Sequence, residues 1–211
     1  IYALYVSFFP QLVAGPIERS YRLLPQFRAT QSFSLDNLLV GLRWIILGFF
    51  MKLVVADRLS IYVDSIYSNP FNHSGITLLI ATIFFSFQIY CDFAGYSNIA
   101  IGAAKILGYD LMVNFKRPYF SKSFSDFWNR WHISLSSWFR DYFYIPLGGN
   151  RVTQVRNFVN ISVTFLVSGL WHGANWTFVI WGGLHAIYLI IENIINFGIF
   201  HNDLKIIKFV K

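Results

Sequence analysis

The sequence predicts an all-α, polytopic membrane protein, and three observations predict it. Hydrophobic residues make up 55% of the 211 residues and aromatic ones 20%, while only 13% are charged, against roughly 25% in soluble domains. Long uncharged runs recur, the longest from Asn157 to Ile191 without one Lys, Arg, Asp or Glu. Positive charge is concentrated between the runs: eight of the 17 Lys and Arg lie from Lys105 to Arg156, beside only Asp110, Asp126 and Asp141. By the positive-inside bias, that central segment faces the cytoplasm. A soluble fold is excluded, because 23 Phe, 12 Tyr and 7 Trp could not all be covered. The single cysteine, Cys91, excludes an internal disulfide. Nucleic acid is not an expected partner, since the basic residues are spread through an aromatic stretch flanked by spans. The chain begins at Ile1 with no charged leader or cleavage site, and the expectation is one core domain over 1–211, an internal piece of a longer protein.

The elements follow in order. Ile1 to Ala14 is apolar and ends at Gly15-Pro16, which reads as a partial span or re-entrant segment. Phe27 to Ser34 is polar loop, with Ser34 or Asp36 as N-cap of the next helix. Leu38 to Ala56 has membrane length, with Arg43 and Lys52 near its ends where long side chains snorkel. Asn69-Pro70 and Ser74-Gly75 mark a loop before Ile76 to Cys91, the cleanest lipid-facing run. Asp92 interrupts that run as N-cap of a following helix or as a functional carboxylate. Gly95, Ala100, Gly102, Ala103 and Ala104 then offer a small-residue face for close packing. In Ser123 to Arg151, Phe124, Trp128, Trp131, His132, Leu135, Trp138, Phe139 and Tyr142 recur at spacings of three and four. That spacing predicts one amphipathic helix lying in the membrane interface. Its polar face carries Asp126, Asn129, Arg130, Ser134, Ser137, Arg140 and Asp141.

Two histidines stand out. His172 lies in the 35-residue uncharged run, which as one helix would be about 50 Å long and overshoot a hydrocarbon core of about 30 Å. The run is expected to break at His172-Gly173-Ala174-Asn175, leaving arms from Asn157 to Trp171 and from Trp176 to Ile191, each about 22 to 25 Å. A break between such short arms falls below the membrane surface, where irregular backbone lines a cavity, and an ionisable residue there is functional by default. His132 belongs to the aromatic side of the amphipathic segment. His185 and Glu192, seven apart, could pair on one helical face. No His-Glu-x-x-His or cysteine pair offers a metal site, and no cofactor is expected.

Four strings in order, FFPQLVAGPIERS (Phe8 to Ser20), FQIYCDFAGYS (Phe87 to Ser97), RWHISLSSWFRDYFYIPLGGNR (Arg130 to Arg151) and SGLWHGANWTFVIWGGLHA (Ser168 to Ala186), resemble the membrane-bound O-acyltransferase superfamily. Within it the likeness is to the alginate type of bacterial polysaccharide O-acetylase. The resemblance implies transfer of an acetyl group from a cytosolic thioester, acetyl-CoA, to hydroxyls of an extracytoplasmic polysaccharide, in the bacterial inner membrane and beside extracytoplasmic acetyltransferase partner proteins. It makes His172 the catalytic histidine and His132 the second. Trp171, Asn175, Trp131, Arg140 and Asp92 are the candidates for contact with substrate; Arg140, Arg151, Lys116 and Arg117 either meet donor phosphates or serve only the positive-inside bias. Imidazole, with an ordinary pKa of about 6.5, suits a base near neutral pH. The alternatives are D-alanyl transfer to teichoic acid by the same fold, a secondary transporter with broken helices, and a non-catalytic membrane scaffold.

Overall fold

Serine caps start the two longest helices of the N-terminal half, as their position ahead of apolar runs leads one to expect. In the computed structural model, which describes residues 1–209 and side chains as far as Asn196, every regular element is helical and no strand occurs among the described residues. The chain divides into two compact units, Ile1–Phe115 and Lys116–Lys211. The first holds α1 (Tyr2–Ser7), α2 (Ser20–Arg28), α3 (Leu35–Phe49), α4 (Asp57–Tyr67) and α5 (Gly75–Ile106). The second holds α6 (Phe124–Trp128), α7 (Ile133–Phe139), α8 (Gln154–His172) and α9 (Trp176–Phe209).

In the first unit the Ser34 hydroxyl accepts the Asn37 N–H at 3.3 Å and the Ser74 hydroxyl accepts the Thr77 N–H at 3.4 Å, each satisfying one orphan donor of a helix start. From α3 the chain passes through a π-helical segment, Phe50–Ala56, straight into α4. Leu35–Tyr67 is therefore one 33-residue candidate span, longer than the Leu38 to Ala56 expectation, and Gly75–Ile106 is a second. Asp92 neither interrupts nor caps a helix: it lies inside the unbroken α5. The apolar residues beyond it continue the same ladder, and a carboxylate whose charge is met by Lys52 of the neighbouring rod does not stop a helix.

The small-residue face is confirmed and made specific. Gly41 and Gly48 of α3 meet Gly102 and Gly95 of α5; a methyl on Gly41 would stand 2.6 Å from the Gly102 carbonyl oxygen, and one on Gly48 2.6 Å from that of Gly95. Only hydrogen fits where two backbones approach so closely. Near the chain start, Ile1 to Ala14 holds no helix of spanning length: α1 has six residues, about 9 Å, followed by a 3₁₀ turn at Phe9–Gln11. α2, with Pro25 inside it, was not foreseen. Phe8, Leu23, Ile101, Ala104 and Leu111 form a buried cluster, with Phe8, Phe27 and Tyr109 edge to face at 5.0 to 5.3 Å. Beside it Glu18 is buried, and one carboxylate oxygen accepts the Met112 N–H. Burial holds the Glu18 carboxyl above its usual range despite that bond and Arg22.

In the second unit the aromatic segment is not one amphipathic helix. α6 ends at Trp128, a bend follows, and α7 begins at Ile133 and runs into a π-helical turn, Arg140–Tyr144. The single face assumed for it fails accordingly: Ser134, assigned to the polar side, is fully buried. α8 and α9 form an antiparallel pair. A methyl on Gly182 would run into the Phe165 carbonyl oxygen, and one on Gly169 into that of Phe178. The break falls where the sequence places it, between His172 and Trp176, but both arms are longer than expected. α8 has 19 residues, about 28 Å, and Trp176–Asn196 is a third candidate span. His172 thus stands at the tip of a helical hairpin, and the short-arm arithmetic that placed the break below the membrane surface does not hold.

Candidate functional site

Gly173 ends α8 in extended backbone, φ 163° and ψ 155°, so its glycine is not required by a left-handed turn. A Cβ there would lie 2.7 Å from the Phe178 ring, which would have to shift to admit it. Two residues on, the Asn175 side-chain oxygen accepts the Thr177 N–H and the Thr177 hydroxyl, both at 3.0 Å, which starts α9. Asn175, a candidate for substrate contact, therefore works as a helix cap, and the cap fixes where Phe178 and Trp181 emerge beside His172. The His172 ring lies 5.1 Å from Trp171 at 76°, 6.2 Å from Phe178 in a stacked arrangement and 5.3 Å from Trp181 at 80°. His172 is exposed within this chain, which corrects the expectation of an enclosed imidazole. Among the described residues, none donates to or accepts from its ring nitrogens.

His132 is only 8% exposed and sits at the bend ahead of α7 with φ 41° and ψ 54°. The left-handed region is unfavourable by about 1 to 3 kcal/mol for a residue with a side chain. Neighbouring bonds hold it there: the Trp131 N–H donates to the Phe127 carbonyl and the Ser136 N–H to the His132 carbonyl, both at 2.9 Å. Arg130 fixes the near side of the bend, with its Nε 2.7 Å from the Asp126 carboxylate, which holds that carboxyl below its usual range. Burial, with the charge of nearby His172 adding to it, pushes the His132 imidazole down to about 4. His132 is therefore neutral at pH 7, and it lies close enough to His172 for charge on that ring to act on it.

The remaining candidates separate. Trp131 stacks on Phe127 at 5.6 Å and so forms part of the wall behind the bend. Trp171 is 58% exposed and borders His172. Arg140 is exposed, and its Nε donates to the Asp141 carboxylate at 2.9 Å. Asp92 belongs to the first unit, where its carboxylate meets Lys52 at 2.5 Å, with Asp57 on the same ammonium at 2.9 Å. Asp92 lies near the middle of α5, and Lys52 within the π-helical segment. His185 and Glu192 do not pair: Glu192 accepts the Ser125 N–H at 3.1 Å, while the His185 ring packs on Trp181 at 4.7 Å and on Trp128 at 5.0 Å. His185 Nδ1 and Trp128 Nε1 are buried with no hydrogen-bond partner among the described residues. A cleft of about 400 Å³ opens beside His185, lined also by Ser121, Lys122, Ser123, Phe124 and Phe127. The residues missed from the sequence are Phe178, Trp181 and Lys52. The first two were signalled by their spacing, since Phe178, Trp181, His185 and Tyr188 recur at three and four, the stripe of one helical face.

Comparison with known proteins gives a consistent picture. A family model described as MBOAT, membrane-bound O-acyltransferase family, matches residues 1–206. The chain is 43% identical to a peptidoglycan O-acetyltransferase of Helicobacter pylori over 193 residues, covering 90% of this chain and 37% of that one. It is 40% identical to a probable alginate O-acetylase of Pseudomonas aeruginosa over 209 residues, 99% of this chain and 40% of that one. A teichoic acid D-alanyltransferase of Streptococcus thermophilus is 32% identical over 203 residues, 90% of this chain and 49% of that one. The chain thus spans less than half the length of each of these relatives.

Proposed function

The chain belongs to the membrane-bound O-acyltransferase family, and from that premise we propose that it carries the acyl-transfer site of a polysaccharide O-acetylase, with His172 as general base and acetyl-CoA as donor. The observation that carries the reading is the state of His172: an exposed imidazole at a hairpin tip, walled by aromatic rings and with both ring nitrogens unclaimed by the described residues. Such a ring is free to take the proton of a sugar hydroxyl. The hydroxyl oxygen then forms its bond to the acyl carbon, the carbon–sulfur bond breaks, and the proton passes from the imidazolium to the departing thiolate. A base in this role is worth about 10²- to 10⁴-fold in rate. His132, neutral and close by, orients the donor or acceptor without adding a second positive charge when His172 protonates. The setting is the bacterial cytoplasmic membrane, with a thioester donor on one side, an extracytoplasmic polysaccharide such as alginate on the other, and extracytoplasmic acetyltransferase proteins as partners.

The test uses the complete protein in vesicles supplied with labelled acetyl-CoA and acceptor glycan. His172→Ala is expected to lower covalent acetylation at least 100-fold, and a wild-type rate in that variant overturns the base role. Acetylation that survives His172→Ala but not removal of the whole protein favours a scaffold, and uptake of label without covalent product favours a transporter. A second reading, D-alanyl transfer, is supported by the 32% identity to the teichoic acid enzyme. Label from D-alanyl thioester appearing in the acceptor, with none from acetyl-CoA, would favour it.

A further inference from the structure

A general base is ordinarily oriented by a third group that hydrogen-bonds its second nitrogen, and His172 has no such group among the described residues. What surrounds it is aromatic. Phe178 lies nearly parallel to the imidazole, at 6.2 Å and 25°, and Trp181 stands across it at 5.3 Å and 80°. The two emerge three residues apart on the same side of α9, held in place by the Asn175 cap. Trp181 is itself braced from behind: its ring meets His185 at 4.7 Å and Trp128 at 5.8 Å, both edge to face. Trp128 in turn packs edge to face on Phe165 of α8 at 5.2 Å, so α6, α8 and α9 all contribute to holding one indole. By contrast Trp171, the third ring beside His172, is 58% exposed and unbraced.

We propose that Trp181 is the positioning residue for His172, fixing the imidazole by ring contact where other bases are fixed by a hydrogen bond. Two consequences separate this from mere filling of space. An aromatic ring at 181 keeps the geometry and an aliphatic side chain of similar bulk loses it, because edge-to-face contact has a directional preference that methylene groups lack. The effect also falls on turnover and not on substrate affinity, since a mis-set base weakens only the transition state. The inference rests on His172 being the base, and the experiment is built to tell the two failures apart.

Turnover is measured in the complete protein with labelled donor for Trp181→Phe, Trp181→Met, His172→Ala and the double variant His172→Ala/Trp181→Met, each normalised to protein recovered from the membrane. The expected result is Trp181→Phe within about threefold of wild type and Trp181→Met lowered 10- to 100-fold in kcat with donor KM within about threefold. In the His172→Ala background, Trp181→Met should add nothing further. Equal turnover in the Phe and Met variants, whether high or low, overturns the proposal, as does a loss that appears only in KM. Should Trp181→Met not accumulate, Trp181→Leu takes its place under the same criteria. If His172→Ala retains wild-type turnover, the base assignment itself fails; if it is inactive while Trp181→Met is unaffected, only the positioning role fails.

Discussion

At the scale of single residues, the pair His132 and His172 shows how environment puts one kind of side chain into two states. His172 is open and unclaimed, whereas His132 is enclosed and neutral. The enclosure makes a prediction about acid stability. The unfolded chain gives His132 an ordinary pKa of about 6.5, and the folded one about 4, so between those values the unfolded state binds more protons. Stability is therefore fully present above about pH 6.5 and is lost as pH falls toward 4, by up to about 3 kcal/mol. Melting of the detergent-solubilised protein across pH 7 to 4 should show this loss, and His132→Asn should flatten that part of the profile; an unchanged profile would contradict the enclosed, neutral ring. His132 was legible in the sequence as a residue on the aromatic side of its segment. Its left-handed backbone was not, because the residue that adopts it is neither glycine nor asparagine. The Trp171-His172-Gly173 break was legible because its signals are local; the setting of Trp181 against the imidazole depends on α8 and α9 folding back on each other.

At the scale of elements, the spans are paired through glycine. In α3 and α5 the glycines are seven apart on each helix, which keeps them on one face over two turns, and in the α8–α9 pair Gly169 and Gly182 play the same part. Gly182→Leu should therefore destabilise strongly, because the obstacle is the Phe165 backbone carbonyl and not a side chain able to swing aside. Overpacking of this kind is unfavourable by about 1 to 3 kcal/mol or more. Gly75→Ala, where an added methyl meets nothing within 4 Å, should leave the melting temperature unchanged or slightly raised. Thermal melts of the two variants compare the sites directly, and equal behaviour would refute the close approach. The small-residue face of α5 could be read from composition, but its partner glycines in α3 could not, since sequence spacing names a face without naming what it meets. Asp92 was misjudged for the same reason: the Lys52 ammonium that accounts for it lies 40 residues away in the chain.

At the scale of the whole molecule, the distribution of charge sets an orientation. The basic stretch from Lys105 to Arg156 runs from the end of the span Gly75–Ile106 to the start of α8, and the positive-inside bias predicts that it faces the cytoplasm. In a Cys91→Ala background, Lys122→Cys should react with a membrane-impermeant thiol reagent in inverted vesicles and not in intact cells. The reverse labelling pattern would invert the orientation. Under the proposed function, this orientation would bring Lys122 and the cleft beside His185 to the side of the proposed thioester donor. Membrane character and helical class were both plain from composition, since charge is scarce throughout; the division into two units was not, because no linker-like stretch marks it.

The π-helical segment between α3 and α4 carries a consequence of its own. A π turn amounts to one residue looped into an α-helix, so deleting a single position between Lys52 and Asp57 would restore regular bonding and leave everything from Asp57 onward on nearly the same face. Lys52 would then meet Asp57 as an i,i+4 pair on the same face, and Val63 and Ile66 would stay buried. The extra residue thus works as a local splice, tolerated because both halves of a single rod, α3 and α4, still rest on the same neighbour, α5.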